Sequence, residues 1–231
     1  MAPTWFSRSE GIAKPSRSSR RRHIWGSSED LLNARGATDP DLAIRKAALR
    51  GRMRALRDRA RARQPGAAAA AAALLPIEVL SRARVAASYH PRGSELSPGP
   101  LADRCAQAGA RIVMPVAVDL DLPLEFRRPV PCGELTPDLL GVPSPPASAP
   151  ALRPDLVIVP MLAFDRCGRR LGQGAGCYDR TLAALRKEGP VFAVGLAYAA
   201  QEVEQAPAGA LDERLDAVLT EAEFFLVRAD S

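Results

Sequence analysis

Apolar positions along this chain change their period near Pro76. Before it, Leu49, Met53, Leu56 and Ala60 follow one another at spacings of 4, 3 and 4, which is one stripe of an amphipathic helix. Lys46, Arg50, Arg54, Arg57 and Arg61 form a basic stripe beside it. Asp39 is placed to cap this helix, with Pro40 at its first position. The alanine run at 67–73 has high helix propensity and predicts a second helix, or the joint leading into one. Beyond Pro76 come short apolar runs at 85–90, 112–118, 156–162 and 191–197, each bounded by Gly, Pro or charge. They read as strands covered on both faces, as in a parallel sheet. Helical patterns at 101–108 and 178–187 lie between them. This alternation predicts an α/β layered fold with right-handed crossovers.

Two stretches carry no clear period. Residues 119–154 hold much of the proline and are expected to be a long loop over one sheet edge. Residues 1–40 contain Arg20, Arg21 and Arg22 among many serines, and read as a disordered basic extension. That leaves 41–231 as a single α/β domain. The extension lacks the apolar core of a signal peptide. An organellar transit peptide and an extended start both remain open readings of it.

Composition alters the picture mainly through charge. The net +6 is uneven: residues 1–66 hold 16 Lys or Arg against 6 Asp or Glu, whereas residues 67–231 hold 16 against 20. A nucleic-acid-binding domain carries its basic charge on the folded body, and here the body is slightly acidic. The basic arm offers only Trp5, Phe6 and Trp25 for stacking on bases. No apolar run approaches the roughly 20 residues of a membrane span, so none is expected. The four cysteines show no C-x-x-C spacing, which fits reduced thiols in a cytoplasm.

The chemistry concentrates in one stretch. Asp165-Arg-Cys-Gly168-Arg-Arg170-Leu-Gly172-Gln-Gly174-Ala-Gly176-Cys-Tyr178-Asp179 follows a strong strand and precedes a helical pattern. Alternating glycines before a helix N-terminus can turn several N–H groups toward one anion, phosphate being the usual occupant. The loop is neither a P-loop nor a G-x-G-x-x-G dinucleotide pattern; a plain turn is the alternative. Arg170 offers a planar fork of donors to phosphate. Asp179 can hold Mg²⁺ on the same phosphates, or simply complement the helix dipole.

Val159-Pro-Met-Leu-Ala-Phe-Asp165 followed by Gly168-x-Arg170-Leu-Gly-x-Gly-x-Gly-x-Tyr-Asp179 resembles the signature of the 5-formyltetrahydrofolate cyclo-ligases. It departs from that family's usual form at Met161, Ala175 and Cys177. Lys46-Ala-Ala-Leu-Arg50 resembles the family's N-terminal K-x-x-L-R, although a solvated basic face would look the same. The chain has only three lysines among its 32 basic residues, so Lys46 goes against its own habit. Tyr89-His90-Pro91 with Glu95, Gly141-Val-Pro143, Val194-Gly-Leu-Ala-Tyr198 with Gln201, and Asp212-x-x-x-Asp216-x-Val-x-Thr220-Glu221 match further family segments in order.

The resemblance implies a three-layer α/β sandwich with a mainly parallel, Rossmann-like sheet of the CoA-transferase type. It implies ATP- and Mg²⁺-dependent conversion of 5-formyltetrahydrofolate to 5,10-methenyltetrahydrofolate, with ADP and phosphate released. Lys46, Arg50 and Arg170 would be catalytic. ATP would be bound by these three and by Leu171, Gly172, Gln173, Gly174, Ala175, Gly176, Cys177 and Tyr178. His90 and Glu95 would bind the folate, and Asp179 and Asp212 the metal; Asp212 as a turn-capping residue is the alternative. The expected protein is a cytoplasmic monomer acting on small molecules, without nucleic acid or membrane partners. A catalytically inactive relative that only binds ligands is the second reading, kept open by Met161 and Cys177.

Overall fold

The computed structural model describes residues 39–129 and 135–227; the expectations for residues 1–38, and Cys132, lie outside them. The first helix, α1 (Pro40–Arg63), starts as the sequence predicts: Pro40 opens it and the Asp39 carboxylate accepts from the Asp41 N–H at 3.0 Å. The alanine run forms α2 (Ala67–Leu74), followed by a single turn, α3 (Ile77–Leu80). No residue of α2 caps its last carbonyls. Arg104 does so from α4 (Gly99–Gln107), donating to the carbonyls of Ala72 and Leu75, where a cation also suits the helix dipole.

The sheet has seven strands in the order β11-β10-β9-β6-β1-β2-β3. β1 (Val85–Ala87), β2 (Arg111–Val116), β6 (Leu156–Pro160), β9 (Phe192–Leu196) and β10 (Ala217–Leu219) run parallel. The edges, β3 (Glu125–Arg127) and β11 (Phe224–Leu226), are antiparallel to their neighbours. Alternation along the strands sends side chains to two cores. Leu156, Ile158, Phe192 and Val194 pack with α2, α3 and α4, while Val157, Val159, Ala193 and Val218 pack with Leu182 and Leu185 of α5 (Cys177–Glu188). Helices on both faces explain the near-continuous apolar strands and make three layers, as expected.

The long stretch at 119–154 is not all loop. It contributes the edge strand β3 and a small hairpin, β4 (Thr136–Pro137) with β5 (Pro143–Ser144). Two or three residues are too short for an alternating pattern to stand out. The same shortness hides β10 and β11, which no expectation covered. A second hairpin, β7 (Ala163–Phe164) with β8 (Arg170–Leu171), leads into the glycine loop. Its turn is closed by the buried Asp165, whose Oδ1 accepts from the N–H groups of Cys167 and Arg169.

Strand order tells where a ligand belongs. From β1 the chain moves outward through β2 to β3, then returns to β6 on the other side of β1. The switch point therefore lies between β1 and β6. In open α/β sheets the binding crevice forms at the carboxyl ends of the strands flanking such a point.

Candidate active site

A cavity of about 240 Å³ opens there. Tyr89 and His90 follow β1, Pro160 ends β6 with Met161 just after it, and Pro115 comes from β2; all line it. The loop at 172–176 closes another side. Gly174 (φ +115°) and Gly176 (φ +67°) take backbone conformations that L side chains rarely adopt; Gly172 does not. Gly176 is the N-cap of α5 and no side chain caps that helix, so its first N–H groups lack a side-chain partner. That is the arrangement an anion site requires.

All the site residues expected from the sequence border this one cavity: Lys46, Arg50, His90, Glu95, Arg170, each of residues 171–178, Asp179 and Asp212. Arg50 donates from Nε to the Gly172 carbonyl at 2.9 Å. Its guanidinium lies over Gly174, where an added Cβ would stand 3.4 Å from Cζ. Lys46 pairs with Asp212 at 2.5 Å across the chain. Asp212 Oδ2 also accepts from the Gly209 N–H, so it closes a turn and holds the lysine at once. Arg170, with its side chain 4% exposed, pairs with Asp179 at 2.7 Å and donates to the Glu213 carbonyl. Asp179 Oδ1 accepts in addition from the Glu213 N–H.

Two of the three expected phosphate cations thus carry a carboxylate partner. Among the described residues no group of three or more His, Cys, Asp or Glu gathers into a metal cage. The donors still suit Mg²⁺, which is commonly held by one or two carboxylates plus phosphates. Asp179 Oδ2 and Asp212 Oδ1 make no hydrogen bond among the described residues.

The other wall is mixed. Leu124, Leu140, Val142 and Met161 are apolar, and Glu95 stands among them with the phenols of Tyr89 and Tyr178. Burial first, and the Glu95 charge second, pushes both phenols well above the usual tyrosine range, so they remain protonated at neutral pH. Met161 packs against Gly195: an added Cβ there would lie 2.6 Å from Met161 Cε and 2.5 Å from Leu215 Cδ1. The methionine thus fills space that only a glycine on β9 leaves open.

Sequence reading missed Arg57. It was counted with the basic surface stripe, yet it is buried beside Ser94 and Glu95. A signal was present, because Met53, Arg57 and Ala60 share one helix face at spacings of 4 and 3. Other matched segments are structural. Gln201 donates to the carbonyls of Met161 and Leu162, at 2.8 and 3.0 Å. Asp216 accepts from Ala193 N–H and from Arg186.

Comparison with known proteins places the chain in a family. The model of the 5-formyltetrahydrofolate cyclo-ligase family matches residues 42–221. A 5-formyltetrahydrofolate cyclo-ligase of Mycolicibacterium smegmatis is 40% identical over 119 residues, 48% of this chain and 61% of that protein. One from Escherichia coli is 37% identical over 133 residues, 54% of this chain and 71% of the relative. The chain therefore aligns with less than two-thirds of the first relative's length and somewhat more of the second's. The solution structure of an Aquifex aeolicus 5,10-methenyltetrahydrofolate synthetase superposes with a TM-score of 0.58 at 24% identity, over 80% of this chain and 94% of that one.

Proposed function

Because the chain belongs to the 5-formyltetrahydrofolate cyclo-ligase family, we propose that it converts 5-formyltetrahydrofolate and ATP to 5,10-methenyltetrahydrofolate, ADP and phosphate. The observation that carries this reading is the shared cavity: phosphate-type ligands (Lys46, Arg50, Arg170 and the glycine loop) border the same space as His90 and Glu95. A reaction that phosphorylates one small molecule with another requires such adjacency.

A formyl amide oxygen is a poor leaving group. Transfer of the γ-phosphoryl group to that oxygen releases ADP and makes an imidate phosphate. The N10 amine then attacks the formyl carbon and loses its proton, and the C–O bond breaks to release phosphate. The protein's part is positioning, charge neutralisation and exclusion of water. Arg50, already tied to the Gly172 carbonyl, would lie along the phosphates. Lys46 and Arg170 would exchange part of their contact with Asp212 and Asp179 for phosphate oxygens. The free oxygens of those carboxylates would hold Mg²⁺, which supplies further charge neutralisation on the phosphates. His90 and Glu95 would bind the folate. Tyr178, protonated in its buried setting, is a hydrogen-bond donor at the helix start.

No helix among the described residues is long and apolar enough to cross a membrane. The proposal takes the protein as a cytoplasmic monomer acting on small molecules. The deciding assay follows methenyltetrahydrofolate absorbance from 5-formyltetrahydrofolate. Product should accumulate only when ATP and Mg²⁺ are both present; ATP-independent or absent turnover refutes the proposal.

A further inference from the structure

The cations of α1 reach in succession to the loops around the cavity: Lys46 to Asp212, Arg50 to Gly172, Arg54 to Gln173, Arg57 to Ser94 and Glu95, and Arg61 to the Gly93 carbonyl. Arg57 differs from its neighbours in being buried. Its side chain is 5% exposed and that of Glu95 is 6% exposed. A carboxylate so far from water needs a charged or hydrogen-bonding partner, and Arg57 Nη1 lies 3.4 Å from Glu95 Oε1. The second contact, Arg57 Nε to Ser94 Oγ at 3.1 Å, fixes the guanidinium relative to the residue just before Glu95. Glu95 Oε2 accepts from the Arg92 N–H at 2.9 Å. Gln173 of the glycine loop brings its Nε2 to 3.5 Å from Oε1 while its own Oε1 accepts from Arg54 at 3.1 Å.

We propose that Arg57 is a positioning residue for the substrate-side carboxylate: it fixes the direction in which Glu95 faces the cavity. The inference rests on the cyclo-ligase reading. Glu95 is held on one oxygen by a side chain from α1 and on the other by backbone, so its rotamer is set before substrate arrives. Among the described residues, removing Arg57 releases Oε1 from α1 and leaves Glu95 tied only through the Arg92 N–H and the long contact from Gln173, while Arg57 itself contacts no residue of the glycine loop.

The test is Arg57→Met, which keeps an apolar stem and removes the charge, measured beside Arg57→Lys, Glu95→Gln and the double variant. KM for 5-formyltetrahydrofolate should rise about tenfold or more in Arg57→Met, while KM for ATP changes less than about threefold. Arg57→Lys should lie closer to wild type. In the double variant, adding Arg57→Met to Glu95→Gln should cost nothing further, because the two act as one unit. A lower melting temperature with an unchanged folate KM assigns Arg57 to structure alone and overturns the proposal, as do additive effects in the cycle. If Arg57→Met does not fold, the same cycle is run with Arg57→Gln, which removes the charge but keeps a hydrogen-bonding head, and is read by the same criteria. Absence of wild-type turnover overturns the activity and this inference together; wild-type turnover with an unmoved folate KM overturns this inference alone.

Discussion

The proposed mechanism asks two things of Asp179, and its contacts make them separable. Oδ1 anchors the buried Arg170 and the Glu213 N–H, while Oδ2 makes no hydrogen bond among the described residues and is the atom proposed to meet the metal. Asp179→Asn retains an oxygen for both Oδ1 contacts but removes the charge. We expect a loss of roughly 2–4 kcal/mol in transition-state stabilisation, about 30- to 1,000-fold in rate. Raised Mg²⁺ should restore part of that rate. A Mg²⁺ titration settles it: a rate defect that does not respond to the metal would leave Asp179 as the anchor of Arg170 only. Gly174 makes a different argument. At φ +115°, Gly174→Ala must strain the backbone by about 1–3 kcal/mol and set a methyl 3.4 Å from the Arg50 guanidinium, so that relief of the strain shifts the loop against Arg50. Its expected signature is a raised KM for ATP with the folate KM little changed.

At the scale of elements, α1 and α5 frame the side of the cavity that the proposal assigns to phosphate. α5 brings its uncapped N-terminus, and α1 lays its basic face across the loop that precedes α5. Arg50 contacts this loop, whereas Arg59 is exposed. Arg50→Ala should therefore raise KM for ATP by about tenfold and Arg59→Ala by less than about twofold. Equal effects in steady-state kinetics would reduce the basic face to a general electrostatic field. The existence and start of α1 were legible because its signals are local: Asp39 and Pro40 at one end, apolar residues at helical spacing along it. The inward turn of Arg57 was marked only by its place between Met53 and Ala60 on one face; an arginine on a basic stripe otherwise resembles its exposed neighbours until Ser94 and Glu95 are brought beside it.

For the whole molecule, every expected site residue lies between Lys46 and Asp212, and the cap of α1 is complete from Asp39 onward. A chain beginning at Asp39 should keep kcat/KM within about twofold and its melting temperature nearly unchanged; a tenfold fall would show that residues 1–38 serve the site. Stability should also weaken in alkali. The Cys105 thiol, sealed in the α2–α3–α4 core, is pushed up to about 11 by burial, from an ordinary value near 9. Between those values the unfolded chain binds fewer protons than the folded one, so stability falls as pH rises from about 9 to about 11. Denaturant midpoints across that range should show a shallower fall in Cys105→Ala than in the wild type.

The amino-acid sequence alone determined what depends on a few neighbouring residues. Four parallel strands and the helices between them follow from apolar runs and their periods, and the glycine loop follows from residues that tolerate positive φ before a helix. Tertiary structure decided what depends on distant segments meeting. Lys46 and Asp212 are 166 residues apart, and Arg57 and Glu95 38 apart; their pairing exists only because the folded chain lays α1 across loops from distant parts of the sequence. That packing depends on the whole core, a constraint no local window contains. Short edge strands such as β3 and β11 escaped for the same reason: three residues have too little period of their own, and their neighbours in the sheet hold them in place.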